Sequence, residues 1–132
     1  MKYYSTNHKA PLASLHEAVV RGLAPDRGLY MPERINRLPQ EFFDNIDKLS
    51  FQEIAYNVAQ AFFGEDVEPE ALKKIVYDTL AFDCPIVEVE PNIYSLELFH
   101  GPTLAFKDVG ARFMARLLQY FIRQEGKEQV NV

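Results

Sequence analysis

The chain has 132 residues, of which 48% are hydrophobic and 25% are charged, so its composition is globular and excludes a disordered protein. Its formal net charge of −5 argues against a nucleic-acid-binding protein, which requires a basic surface. The sequence contains no run of about 18 apolar residues and therefore predicts no membrane span. Cys84 is the single cysteine, which fits a reducing compartment, and we predict a cytoplasmic protein.

Residues 1–84 predict a small, mostly helical domain. A short strand is expected over residues 3–5 and a second brief strand over residues 29–31. Ser14 and Glu17 form a capping-box pattern, which predicts a helix that ends near Gly22. Pro39 is expected at the first position of another short helix, which runs to about residue 46.

Two longer helices are predicted in the second half of this domain. Residues 50–53 form another capping box, which opens a helix that Gly64 closes, and Pro69 starts the next helix. In both helices apolar residues recur at helical spacing, which predicts one buried face on each. The predicted buried residues are Phe51, Ile54, Ala55, Val58 and Phe62 in the first helix and Leu72, Ile75, Val76, Thr79 and Leu80 in the second.

The pattern changes after Cys84, and the domain boundary is placed there. Residues 86–89 and 93–98 predict a β-hairpin, and residues 129–132 predict the start of a further strand. The fold class is therefore α/β: a small helical domain over residues 1–84, then the beginning of an α/β domain over residues 85–132. We expect the chain to be the amino-terminal piece of a longer protein. A helix from about residue 106 to 125 is predicted to bury Phe106, Val109, Gly110, Phe113, Leu117, Tyr120 and Phe121.

Lys107 is the residue with the most distinctive chemical setting. Thr103 is predicted to cap the last helix, which places Lys107 in its first turn, where the helix dipole disfavours an ammonium group. Leu104 and Phe106 suggest an apolar site, and desolvation there favours the neutral amine that forms Schiff bases. The alternative is a solvated lysine whose stem covers apolar neighbours. Asp108 is explained by the same dipole, which favours a carboxylate at this end of a helix.

Two blocks of this sequence resemble the threonine synthase family. Residues 97–108 read Glu-Leu-Phe-His-Gly-Pro-Thr-Leu-Ala-Phe-Lys-Asp and are similar to that family's pyridoxal-phosphate lysine segment. Residues 4–7 and 18–32 resemble its opening block, which usually reads Tyr-Ser-Thr-Arg and later Gly-Leu-Ala-x-Asp-Gly-Gly-Leu-Tyr-x-Pro. This chain departs from that pattern at Asn7 and at Arg27, which replaces the first glycine of the pair.

The resemblance implies an amino-terminal portion of a pyridoxal 5′-phosphate enzyme of the tryptophan-synthase-β-like group. Lys107 would bind the cofactor covalently and act as the catalytic proton carrier, and Thr103 and His100 are candidates for contacting the substrate. For His100 a turn residue hydrogen-bonded to backbone is the alternative. The implied reaction converts O-phospho-L-homoserine and water to L-threonine and phosphate. The resemblance places the cofactor's phosphate-binding loop beyond residue 132.

Two other functions stay open at this point. One is a related serine or threonine dehydratase, and the other is a non-catalytic threonine-synthase-like domain. No metal site is predicted, because the three histidines are widely scattered and lack ligand spacing. For the 132-residue chain alone we expect no turnover, weak cofactor binding and a tendency to self-associate through exposed strand edges.

Overall fold

A computed structural model describes residues 1–126 of the chain. The amino-terminal part begins with a three-stranded antiparallel sheet in the order β2-β1-β3, formed by β1 (Lys2–Ser5), β2 (Ala13–Ser14) and β3 (Tyr30–Pro32). The two predicted strands correspond to β1 and β3, whereas the two-residue β2 was not predicted. Helix α1 (Leu15–Arg21) follows β2 directly.

Four further α-helices and one short 3-10 helix (Ile46–Lys48) follow within residues 1–126, and local sequence signals set most of the α-helix ends. The α-helices are α2 (Gln40–Asp44), α3 (Phe51–Phe63), α4 (Pro69–Thr79) and α5 (Lys107–Gln124). Both predicted capping boxes are present, at the starts of α1 and α3, and Gly22 ends α1 with a φ of +73°. Pro39 lies at the N-cap of α2, one residue before the predicted position. Within residues 1–126 no helix is both long and apolar enough to span a bilayer.

The core forms where α5 packs against α1 and α4. The predicted buried face of α4 is confirmed, since all five of its residues are buried. Leu117 and Phe121 of α5 join the same core, as predicted. The last helix is thus packed on elements from the first 84 residues, and the division at residue 84 stays a prediction.

The predicted buried faces of α3 and α5 are only partly correct. In α3, Phe51 is 43% exposed and Val58 is 39% exposed, and both line an open apolar cleft of about 400 Å³ between α3, α4 and α5. In α5, Phe106 is 64% exposed and Gly110 is also exposed. These residues lie at helical spacing from buried ones, but within residues 1–126 nothing covers the side of the bundle that they occupy.

The predicted hairpin is confirmed as strands β4 (Ile86–Glu90) and β5 (Ile93–Leu96), which pair in antiparallel register with a bulge between Glu88 and Glu90. The second strand ends two residues earlier than predicted. The apolar side chains of both strands are largely exposed, among them Ile86 of β4 at 70% and Leu96 of β5 at 58%. The strand predicted over residues 129–132 lies outside the described residues.

Asp26 joins the loop between β1 and β2 to the loop between α1 and β3. Its carboxylate accepts hydrogen bonds from Ser5 Oγ at 2.6 Å and from the backbone N–H groups of Lys9, Ala10 and Gly28, each at 3.0 Å. These donors, with the Ser5 hydroxyl contributing most, lower the pKa of Asp26 to about 2. Arg27 follows with a φ of +68°, a conformation that suits glycine. The chain therefore keeps a glycine-like turn at the position where it departs from the family pattern.

Acid is expected to weaken this junction in a defined range. Because the pKa of Asp26 in the fold is lower than the ordinary 3.8, its ionised form stabilises the fold above that value and loses this effect as the pH falls towards 2. We expect the stability difference between the wild-type chain and Asp26→Asn to be constant above about pH 5 and to shrink steadily as the pH falls from there towards about 2. Denaturant titrations of both proteins across this range measure it, and a pH-independent difference would contradict it.

Candidate active site

The segment that leads to Lys107 starts at the end of the hairpin. The Glu97 N–H donates to the Pro85 carbonyl at 2.9 Å, which holds the two ends of the hairpin together. Glu97 Oε2 then lies 2.6 Å from His100 Nε2, and the Phe99 ring stacks on the His100 ring with 4.8 Å between centroids. A carboxylate bonded to one ring nitrogen fixes the orientation of the imidazole. The sequence interpretation missed Glu97, although its position three residues before His100 was a usable signal.

Residues 101–106 form consecutive turns between Glu97 and α5. The Leu104 N–H donates to the Gly101 carbonyl at 3.0 Å, and the Asp108 N–H donates to the Ala105 carbonyl at 3.0 Å. Leu104 has a φ of +55°, in the left-handed region that non-glycine residues rarely adopt. The loop is therefore irregular, and side-chain contacts are needed to hold it.

Thr103 does not cap α5, so that prediction was wrong. The N-cap position belongs to Phe106, which has helical backbone angles and makes no side-chain capping bond. The turns over residues 101–104 and 105–108 move the N-cap three residues along, from Thr103 to Phe106. The Thr103 hydroxyl instead donates to Asp108 Oδ1 at 2.8 Å, and the Thr103 N–H donates to Asp108 Oδ2 at 2.9 Å. Its hydroxyl proton is thus used within the protein, and only the oxygen lone pairs remain available to a substrate.

Lys107 is the first residue of α5 and its side chain is exposed. Its apolar neighbours Leu104 and Phe106 are 76% and 64% exposed. Residues 1–126 therefore do not form the shielded pocket that the sequence predicted around this amine, because the apolar groups beside it have no partner to pack against. What they do provide is an accessible primary amine on a backbone fixed by its neighbours.

The other reactive side chains in the described part of the chain do not gather into a site. Burial raises the pKa of the Cys84 thiol, which favours its unreactive form. Among residues 1–126 no group of three or more histidine, cysteine, aspartate or glutamate side chains is arranged to hold a metal ion. Lys107, His100, Thr103 and their partners Glu97 and Asp108 are thus the candidate site, all within one segment of twelve residues.

Residues 2–80 match the family model described as threonine synthase N terminus, which covers more than half of the chain. The chain belongs to the threonine synthase family. It is 38% identical over 120 residues to threonine synthase from Escherichia coli strain K12, covering 91% of this chain and 28% of that protein. With threonine synthase from Pseudomonas aeruginosa the identity is 36% over 135 residues, covering 98% of this chain and 29% of the relative.

Solved threonine synthases have the same fold over this region. The pyridoxal-phosphate-bound enzyme from Brucella melitensis superimposes with a TM-score of 0.88 at 37% identity, covering 96% of this chain and 28% of that one. The yeast enzyme gives a TM-score of 0.83 at 34% identity, covering 97% and 28%. These similarities confirm the predicted family and the α/β fold class. The chain spans somewhat over a quarter of the length of these relatives.

Proposed function

We propose that this chain is the amino-terminal part of an enzyme that converts O-phospho-L-homoserine and water to L-threonine and phosphate with pyridoxal 5′-phosphate. The observation that carries the proposal is the accessible Lys107 at the start of α5, within a segment similar to the family's cofactor lysine segment. The Brucella melitensis relative, whose structure includes bound pyridoxal phosphate, supports the same cofactor.

The residues of the described segment fit the covalent part of cofactor binding. Lys107 offers an exposed amine that can condense with an aldehyde, and the cofactor, when bound, supplies the electron sink for the reaction. While substrate is bound, the same amine would take protons from the α and β carbons and return protons to the γ and α carbons. Phosphate leaves from the γ carbon and water adds at the β carbon. We propose that the cofactor's phosphate is bound by backbone N–H groups elsewhere in the complete protein.

His100 and Thr103 remain proposed substrate contacts with different chemistry. Glu97 bonds to one ring nitrogen of His100, so the other nitrogen is oriented and, among residues 1–126, has no hydrogen-bond partner that would keep it from a polar substrate group. Thr103 can accept a hydrogen bond at Oγ1, but its hydroxyl already donates a hydrogen bond to Asp108. His100 is therefore the better supported of the two, because the Glu97 contact fixes its ring without using both nitrogens.

A product assay tests the proposed reaction. The complete gene product that contains this chain is incubated with pyridoxal 5′-phosphate and O-phospho-L-homoserine, and both phosphate and L-threonine are measured. We expect equal amounts of the two products. Parallel incubations with L-serine and L-threonine test for a dehydratase, which would release ammonia and a keto acid instead. Absence of turnover on all three substrates would favour a non-catalytic family member.

Two further proposals concern the chain outside catalysis. The exposed apolar hairpin β4–β5 supports self-association of the 132-residue chain, because unpaired strand edges readily pair with a second copy. Cys84 is the single cysteine of the sequence and is half-buried, with a thiol pKa raised by desolvation, which supports a reducing compartment, and we propose the cytoplasm.

A further inference from the structure

Asp108 is more deeply buried than its position at a helix start requires. It lies in the first turn of α5 yet is only 4% exposed. Both carboxylate oxygens accept hydrogen bonds from Thr103, one from the backbone N–H and one from the hydroxyl. The helix dipole explains a carboxylate in this turn but neither its burial nor the two bonds directed back across the loop. These contacts indicate a second role for Asp108.

Gly101 shows how tightly Asp108 packs on the loop. A Cβ atom at position 101 would lie 2.5 Å from Asp108 Oδ2 and 2.8 Å from Asp108 Cβ, closer than real side-chain contacts allow. The carboxylate therefore rests directly on the Gly101 backbone while it bonds to Thr103. Leu104, with its φ of +55°, lies between these anchors. A strained conformation of this kind persists only where surrounding contacts over-determine it.

We propose that Asp108 is a positioning residue of the enzyme proposed above, on whose function this inference rests. Its carboxylate fixes residues 101–106 and thereby the backbone of Lys107, while the Lys107 side chain stays free to reach the cofactor's aldehyde. Thr103 is the partner of Asp108 in this positioning role, because it donates both hydrogen bonds to the carboxylate. A misplacement of the reacting amine by roughly 1 Å can cost about 10²-fold in rate, so a fixed backbone under a free side chain has direct catalytic value.

Covalent trapping tests the positioning directly and without turnover. The complete gene product and its variants are incubated with limiting pyridoxal 5′-phosphate and reduced with borohydride, and the labelled Lys107 peptide is quantified by mass spectrometry. We expect Asp108→Ala to lower the labelling rate about tenfold or more and Thr103→Val to lower it severalfold. Thr6→Val is the matched control, since exposed Thr6 accepts a hydrogen bond from the Leu29 N–H at 2.9 Å, far along the chain from the lysine loop. It should label like the wild type.

Steady-state kinetics separate positioning from loss of structure. We expect Asp108→Ala to lower kcat for O-phospho-L-homoserine by about 10²-fold while KM changes much less, because the defect lies in the placement of the reacting amine. Thr103→Ser keeps the hydroxyl donor and should stay close to wild-type kcat, whereas Thr103→Val should not. A residue that only supports the fold would lower the folded fraction without this dependence on the hydroxyl.

The outcomes distinguish this inference from the proposed function. Wild-type labelling and wild-type kcat in both Asp108→Ala and Thr103→Val would overturn the positioning role and leave the proposed reaction intact. Failure of the unaltered protein to label at Lys107, together with no phosphate release, would remove the proposed function. If Asp108→Ala does not fold, Thr103→Val decides the test, because Thr103 is exposed and its substitution leaves the core untouched.

Discussion

Replacing Lys107 with alanine is expected to lower threonine formation by the complete gene product by at least about 10³-fold, a loss within the range attributed to a positioned acid–base group. On the proposed function, the variant lacks the one amine that would both condense with the cofactor and carry protons to and from the substrate. The measurement is phosphate release and threonine formation from O-phospho-L-homoserine. Absorbance of the bound cofactor, before and after borohydride reduction, reports the covalent link separately.

Two control variants make this result specific to the chemistry of one amine. Lys107→Arg keeps the positive charge and much of the stem, but a guanidinium stays protonated and cannot condense with an aldehyde, so it should be as inactive as alanine. Lys74→Ala removes another exposed lysine, one that pairs with Asp78 at 2.9 Å on α4, and should keep full activity. Since Lys107 is exposed, its loss should change the unfolding free energy by less than about 0.5 kcal/mol. Phosphate release by Lys107→Ala within tenfold of the wild type would contradict the assignment.

Features encoded by short-range patterns were predicted well from the sequence. The capping boxes at Ser14 and Ser50 need only residues three apart, so the starts of α1 and α3 were placed correctly. The same holds for Pro69 at the start of α4 and for the apolar face of that helix. The resemblance of residues 97–108 to the family's lysine segment was recognisable because these residues are contiguous, and their roles stay a prediction. In each case the residues responsible lie close together in the sequence, within one motif or one helix.

Features that depend on irregular backbone or on distant partners were not predicted. The hydrogen bonds between Thr103 and Asp108 depend on consecutive turns in which Leu104 has a left-handed conformation. No residue preference predicts that conformation for a leucine. The Asp26 junction joins residues 16 to 21 positions apart in the chain. Phe106 was expected to be buried because it is apolar, but burial requires a partner surface, and residues 1–126 contain none at that place. Hydrophobicity predicts what a residue prefers, not what lies opposite it.

Replacing Gly28 with alanine is expected to be the most damaging single methyl addition in the described part of the chain. Gly28 is buried, and a Cβ there would lie 2.0 Å from Ser5 Oγ and 2.9 Å from the backbone N of Asn7. Ser5 is fully buried and donates to Asp26, so it has no room to move aside without losing that bond. We expect the free energy of unfolding to fall by about 3 kcal/mol, at the upper end of overpacking costs. Denaturant titration of the 132-residue chain measures it.

A control variant, a second single variant and a double variant show whether the clash with Ser5 causes the loss of stability in Gly28→Ala. Gly110→Ala adds a methyl at an exposed position of α5, where nothing lies within 4 Å, and should stabilise the chain by about 0.5–1 kcal/mol because alanine is the better helix former. Ser5→Ala removes the hydroxyl that the new methyl would strike. The double variant Ser5→Ala with Gly28→Ala should therefore be less destabilised than the sum of its single variants. Strict additivity would mean that the damage comes from elsewhere in the junction, with the Asn7 backbone as the next closest contact.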